Sequence, residues 1–220
     1  MNLGRVEERL APLDGIAAVV LWVAGVLVLQ GPADQPDTDA APVTALAFFE
    51  EHHDAILLGT FLYMLGTLFF LWFLGLVRAQ IGPAEGGPRR LSSIAYAAGI
   101  VLAITQLLMP AVHATGAINR DHLSPDAAQV YLGLGATFFY AAELAAAVFL
   151  LATGLVSLST RAFPGWLAWA SIAMAVWLLI PPIAWPALLY AFPLWLIVVS
   201  VLLWTRPRTG SRPDPAHRTP

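Results

Sequence analysis

A carboxylic acid stands inside a long apolar run, Tyr140-Ala141-Ala142-Glu143-Leu144-Ala145-Ala146-Ala147. At mid-bilayer such a group costs about 2.5–3.5 kcal/mol even on a lenient insertion scale, so it must face a protein interior, protonated or partnered. Tyr140 lies three residues back on the same helical face and could donate to it. The chemistry open to Glu143 is proton exchange or hydrogen bonding to a ligand; the plainer role is glue between helices. A second run supplies the expected partner. Tyr96, Gly99, Ala103, Gln106, Pro110 and His113 recur at alternating steps of three and four and so share one stripe. If the two runs are antiparallel, Gln106 and Glu143 sit at similar depth. We therefore expect Glu143, Tyr140, Gln106 and Tyr96 in one buried polar cluster, with His113 towards its end. Pro110 should kink its helix and free a backbone carbonyl.

The second constellation is Glu50-Glu51-His52-His53-Asp54, with His113 and Asp121-His122 further along. Imidazole and carboxylate together suit zinc, copper or iron, so His52, His53, His113 and His122 are the candidate ligands of a divalent metal. The spacing lacks a zincin's i, i+4 pair, and adjacent histidines project about 100° apart on a helix. The alternative is a solvated acidic surface carrying incidental histidines.

Composition removes other chemistries. Cysteine is absent, which excludes disulfides, thiolate zinc sites and iron–sulfur clusters. All eleven basic side chains are arginine, so no lysine is present to form a retinal or pyridoxal Schiff base. There is no P-loop and no dinucleotide-binding glycine pattern. Only His113 comes near the place where a transmembrane haem needs paired histidines. No resident cofactor and no nucleic-acid partner is expected.

The elements that must position these residues are read from hydropathy. Hydrophobic residues make up 59 % of the 220-residue chain and charged ones 11 %, and mean hydropathy is +0.73. The apolar residues come in blocks of helix length, as a hydrocarbon core about 30 Å thick demands. The reading is all-α, a polytopic bundle of about six spans at 15–30, 55–77, 93–113, 130–157, 164–181 and 183–204. Residues 1–14 precede this single domain of 15–204, and 205–220 form a disordered tail. The first block is the shortest and resembles a signal-peptide core. Glu7 and Glu8 beside Arg5 and Arg9, and the poor cleavage context Gln30-Gly31-Pro32, favour a span instead. An outer segment covers 31–54, and from Pro42 to Asp54 it is expected to be helical and to run into the second span, since proline suits a first helical turn.

Arginine sets the orientation. Arg5, Arg9, Arg78, Arg89, Arg90, Arg161, Arg206, Arg208, Arg212 and Arg218 fall on one side of these spans, leaving Arg120 on the other. The positive-inside rule then places both termini in the cytoplasm. Asp34, Asp37, Asp39, Glu50, Glu51, Asp54, Asp121 and Asp126 share the opposite face with four of the five histidines. Trp166, Trp169, Trp185 and Trp204 near span ends read as interfacial anchors.

Phe70-Leu71-Trp72-Phe73-Leu74-Gly75-Leu76-Val77-Arg78, then Ala84-Glu85-Gly86-Gly87-Pro88-Arg89-Arg90-Leu91, and later Phe163-Pro164-Gly165-Trp166-Leu167-Ala168-Trp169, resemble a group of uncharacterised actinobacterial multi-pass membrane proteins. The likeness covers most of spans two to five and implies the six-span topology and a bacterial plasma membrane. It implies no activity.

Three functions follow from these residues. The favoured one is non-enzymatic: binding, transport or sensing of a small molecule or proton through the cluster around Glu143. The second is a membrane-embedded metalloenzyme built on the outer histidines. The third is a structural subunit of a homo- or hetero-oligomer, its partners docking on lipid-facing helices.

Overall fold

Proline, glycine and a few polar side chains divide this apolar chain into helices. The computed structural model describes residues 10–30 and 35–205, and among these all regular structure is helical. In chain order the helices are α1 Leu13–Gln30, α2 Pro42–Glu51, α3 His53–Glu85, α4 Arg90–Ile118, α5 Pro125–Thr160, α6 Gly165–Leu178 and α7 Pro181–Thr205. A 3-10 turn, Arg120–His122, joins α4 to α5. Pro42 and Pro125 start their helices, where a missing N–H costs nothing, and the Ser124 hydroxyl accepts from the Ala127 amide at 3.3 Å. Between α3 and α4 the chain turns through Gly86 (φ 66°) and Gly87 (φ 46°). The Glu85 carboxylate then accepts from the Leu91 and Ser92 amides, each at 2.8 Å, and so caps α4.

Four helices, α3, α4, α5 and α7, are long and apolar enough to cross a membrane. The other two expected spans are realised as shorter apolar helices. At about 1.5 Å per residue α6 reaches only about 21 Å, because Pro181-Pro182 follow it and start the next helix. The expected continuous helix from Pro42 into the second span is instead two helices, broken at His52 (φ −116°, ψ 15°).

The bundle's outward surface is apolar. Leu27, Phe61, Trp72, Val130, Leu144 and Leu194 are each exposed over more than half their surface, as are the tryptophans 166 and 169. A water-facing monomer rarely presents that much hydrocarbon, whereas lipid would cover it. Arg78, Arg89, Arg90 and Arg161 lie at the end holding the α3–α4 and α5–α6 connections. Asp37, Asp39, Glu50, Glu51, Asp54, Asp121 and Asp126 lie at the other end. Arg5, Arg9, Asp34 and the four C-terminal arginines fall outside the described residues.

Inside, α1 lies along α3 and α4 along α5. The α1–α3 crossing is close because its contact positions are glycine and alanine: a Cβ on Gly25 would meet the Gly59 carbonyl at 2.8 Å, and one on Gly66 the Ala18 carbonyl at 2.9 Å. Further in, Trp22, Phe70, Phe149, Phe192 and Trp195 form a buried aromatic cluster. Both indoles are satisfied: Trp22 Nε1 donates to Thr67 Oγ1 at 3.0 Å and Trp195 Nε1 to Ser171 Oγ at 2.8 Å. A smaller core at the acidic end, around Phe48, Phe49, Ile56 and Leu132, fixes α2 across the bundle.

Candidate functional site

Two adjoining cavities open in the half of the bundle nearer the acidic end. The larger, about 490 Å³, lies between α1, α3, α4, α5 and the start of α7, and its wall includes Tyr63, His113, Tyr140, Glu143 and Trp185. The smaller, about 210 Å³, is walled by Trp22, Gln106, Leu188, Tyr190 and Pro193 among others. Val26, Tyr63, Phe139 and Leu189 line both.

Local sequence explains why this space exists. Gly135 on α5 has no side chain, which leaves room for the His113 imidazole on α4. Pro110 cannot donate to the Gln106 carbonyl one turn earlier, and the Thr60 hydroxyl donates to Pro110's own carbonyl at 3.3 Å. In α7 the segment Ala187–Ala191 winds as a π-helix between Pro186 and Pro193. Pro193 leaves the Leu189 carbonyl without its usual donor, and the widened turn sets Leu188, Leu189 and Tyr190 along the cavity wall.

Three wall residues hold buried polar atoms with no hydrogen-bond partner: Gln106 Oε1, His113 Nε2 and Glu143 Oε1. Their residues are 3 %, 7 % and 3 % exposed. An unpaired buried acceptor or donor forfeits about 1–3 kcal/mol, so three of them on residues lining two adjoining hollows, Gln106 in the smaller and His113 and Glu143 in the larger, amount to unspent hydrogen-bonding capacity. Thr153 Oγ1 and Ser200 Oγ are similarly unpaired, but neither residue lines a cavity described above.

The expected polar cluster is rearranged. Gly99, Ala103, Gln106, Pro110 and His113 are all buried. Gln106, however, neighbours the Tyr63 hydroxyl as a hydrogen-bonding side chain, and it makes no hydrogen bond to Glu143. Tyr140 lines the large cavity with Glu143 but is 57 % exposed. Tyr96 does not join them: it lies near the arginine-bearing end, its ring 4.3 Å beneath the Arg78 guanidinium. Tyr63, absent from the expected set, is one of four residues that line both cavities. Its signal was the stripe Thr60, Tyr63, Thr67 beside Gly59 and Gly66 in the second span.

The four candidate metal ligands are separated. The His52 ring stacks on Phe48 at 5.5 Å, and its Nδ1 lies 3.3 Å from the Phe48 carbonyl. His53 reaches the Glu50 carbonyl at 3.1 Å and Asp54 Oδ1 at 3.3 Å. His113 faces the large cavity, and His122 sits in the exposed turn after α4. Among the described residues no three His, Asp or Glu side chains converge as a metal would require. One of the four histidines thus lines the large cavity, while His52 and His53 are part-buried at the α2–α3 break and His122 is exposed. Comparison with protein-family models, with curated proteins and with solved structures gives no match for this chain.

Proposed function

We propose that this chain is a six-span protein of a bacterial plasma membrane, both termini cytoplasmic, that binds and then transports or senses a small molecule or proton in the cavity around Glu143. One observation carries the reading: Gln106, His113 and Glu143 each bring an unpaired buried polar atom to the wall of two adjoining hollows. Structural glue would spend those atoms on a neighbouring helix, whereas a binding site keeps them for its occupant. The six-span count is supported by the apolar character of α1 and α6, whose lengths a locally thinned bilayer or flanking residues can accommodate.

The test is ligand-dependent thermal stabilisation of the purified full chain in mild detergent, screened over a chemically varied set of small molecules. At least one compound should raise the unfolding midpoint of the wild type and not that of Glu143→Gln, with both proteins folded. If no compound's effect depends on Glu143, the cavity is a packing defect and the reading fails.

A further inference from the structure

We infer that the cavity's occupant is a lipophilic cation, an ammonium group carried on an apolar or aromatic body; this rests on the binding function proposed above. The argument starts from charge. Among the described residues Glu143 is the one carboxylate along the walls of both hollows, and none of their arginines lines either. The other titratable groups along these walls, among the described residues, are the imidazole of His113 on α4 and the phenols of Tyr63 on α3, Tyr140 on α5 and, in the smaller hollow, Tyr190 on α7. With a neutral imidazole, any charge the cavity holds is negative.

Hydrogen-bonding type points the same way. Gln106 Oε1 is an acceptor, as is Glu143 Oε1 when ionised, and His113 Nε2 accepts in the tautomer protonated at Nδ1. A protonated amine is all donor and can use these atoms, while a carboxylate or phosphate ligand would stand against the Glu143 carboxylate and leave all three acceptors unpaired. The rest of the wall suits the body of such a molecule. Phe139, Tyr140, Tyr63 and Trp185 supply aromatic faces, and these attract cations most strongly where water is excluded. Tyr140 and Trp185 line the larger hollow and are also half-exposed, so an amphiphilic ammonium can reach them from the bundle's surface.

The test uses one body with three heads: phenylbutylamine, phenylbutanol and phenylbutyrate, titrated calorimetrically into the full-length protein in nanodiscs of zwitterionic lipid, with empty nanodiscs subtracted. The amine should bind saturably and about ten-fold or more tighter than the alcohol, with the carboxylate weakest, as a desolvated ion pair and cation–π contacts require. In Glu143→Gln the amine's advantage over the alcohol should shrink to about three-fold or less, while Glu143→Asp, which keeps the charge, should preserve it. If Glu143→Gln does not fold, the ranking of the three heads on the wild type decides alone. Saturable binding with alcohol or carboxylate equal to amine overturns the cationic class and leaves the binding function standing. No saturable binding of any head overturns this inference, and the ligand screen above then decides the function separately.

Discussion

A Cβ built on Gly135 would lie 2.5 Å from Nε2 of His113, so the imidazole occupies the volume that any side chain at that α5 position would need. Replacing Gly135 with alanine must therefore push the ring, and the cavity that His113 lines offers it space to move into. We expect Gly135→Ala to weaken ligand binding at least as much as His113→Ala, because it blocks the space as well as displacing the group. The cost in stability should be about 1–3 kcal/mol, the range for an extra methyl in a packed core, reduced if the ring swings freely. Ligand titration alongside thermal unfolding separates the two effects; unchanged binding would show that His113 is not part of the binding wall.

The α1–α3 contact is less forgiving, because there the obstacle is backbone. A Cβ on Gly25 would meet the Gly59 carbonyl at 2.8 Å and the Tyr63 amide nitrogen at 2.9 Å. Gly25→Ala should lower the unfolding midpoint more than Gly75→Ala, a helix position where an added Cβ meets nothing within 4 Å. It should also disturb ligand binding, since Tyr63 belongs to the cavity wall. Equal midpoints for the two variants would mean that α1 and α3 do not cross at Gly25.

Glu85, the last residue of α3 and beyond the apolar 55–77 segment, offers a pH signature. Hydrogen bonds from the Ser92 side chain, then from the Ser92 and Leu91 amides, hold its carboxyl below the ordinary glutamate range. A carboxyl depressed by folding adds stability that is fully present above its unfolded value, about 4.3, and is lost as pH falls through the lower folded value. Glu85→Gln should therefore be slightly less stable than wild type at pH 7, with the difference closing in acid below about pH 4. Parallel unfolding curves at all pH values would show that the carboxylate does not cap α4.

Much of this architecture was legible beforehand, and the reasons are physical. The centres of α3, α4, α5 and α7 follow from apolar runs that only lipid or a core can absorb, and the burial of Gly99, Ala103, Gln106, Pro110 and His113 follows from their three-four spacing. The His52 break did not show, because nothing in Glu51-His52-His53 is a helix breaker; it accompanies the burial of Phe48 and Phe49 of α2 in the smaller core, a contact between distant segments. The cavity itself was not legible. Its wall draws on five elements, and the π-turn that brings Leu189 into both hollows arises from two prolines seven residues apart, Pro186 and Pro193. Tyr96 was misplaced because a shared stripe fixes a face and not a depth: it stands ten residues before Gln106, about 15 Å along the axis.

Topology is open to direct measurement because the chain has no native cysteine. Single cysteines at Gly86, in the α3–α4 connection, and at His122, in the turn before α5, should react with a membrane-impermeant maleimide from opposite sides. In intact bacterial cells the cysteine replacing His122 should label and the one replacing Gly86 should not, until the membrane is opened. Labelling of both from outside, or of Gly86 alone, would reverse or dismantle the proposed orientation.

The last prediction concerns which pairs of cavity residues act together. Gln106 and Glu143 lie on facing helices but form no hydrogen bond, and each retains an unpaired oxygen. Gln106 instead neighbours the Tyr63 hydroxyl. Energetic coupling should follow contact rather than depth in the membrane. A double-mutant cycle of Gln106→Leu with Tyr63→Phe should then give an interaction energy of about 0.5–1.5 kcal/mol, the size of one net hydrogen bond. The cycle of Gln106→Leu with Glu143→Gln should be additive to within about 0.5 kcal/mol in the absence of ligand. With a saturating ligand that spans both hollows, the second pair should become coupled, because one molecule would then satisfy both oxygens. Coupling of Gln106 with Glu143 in the empty protein would mean that the two side chains meet directly.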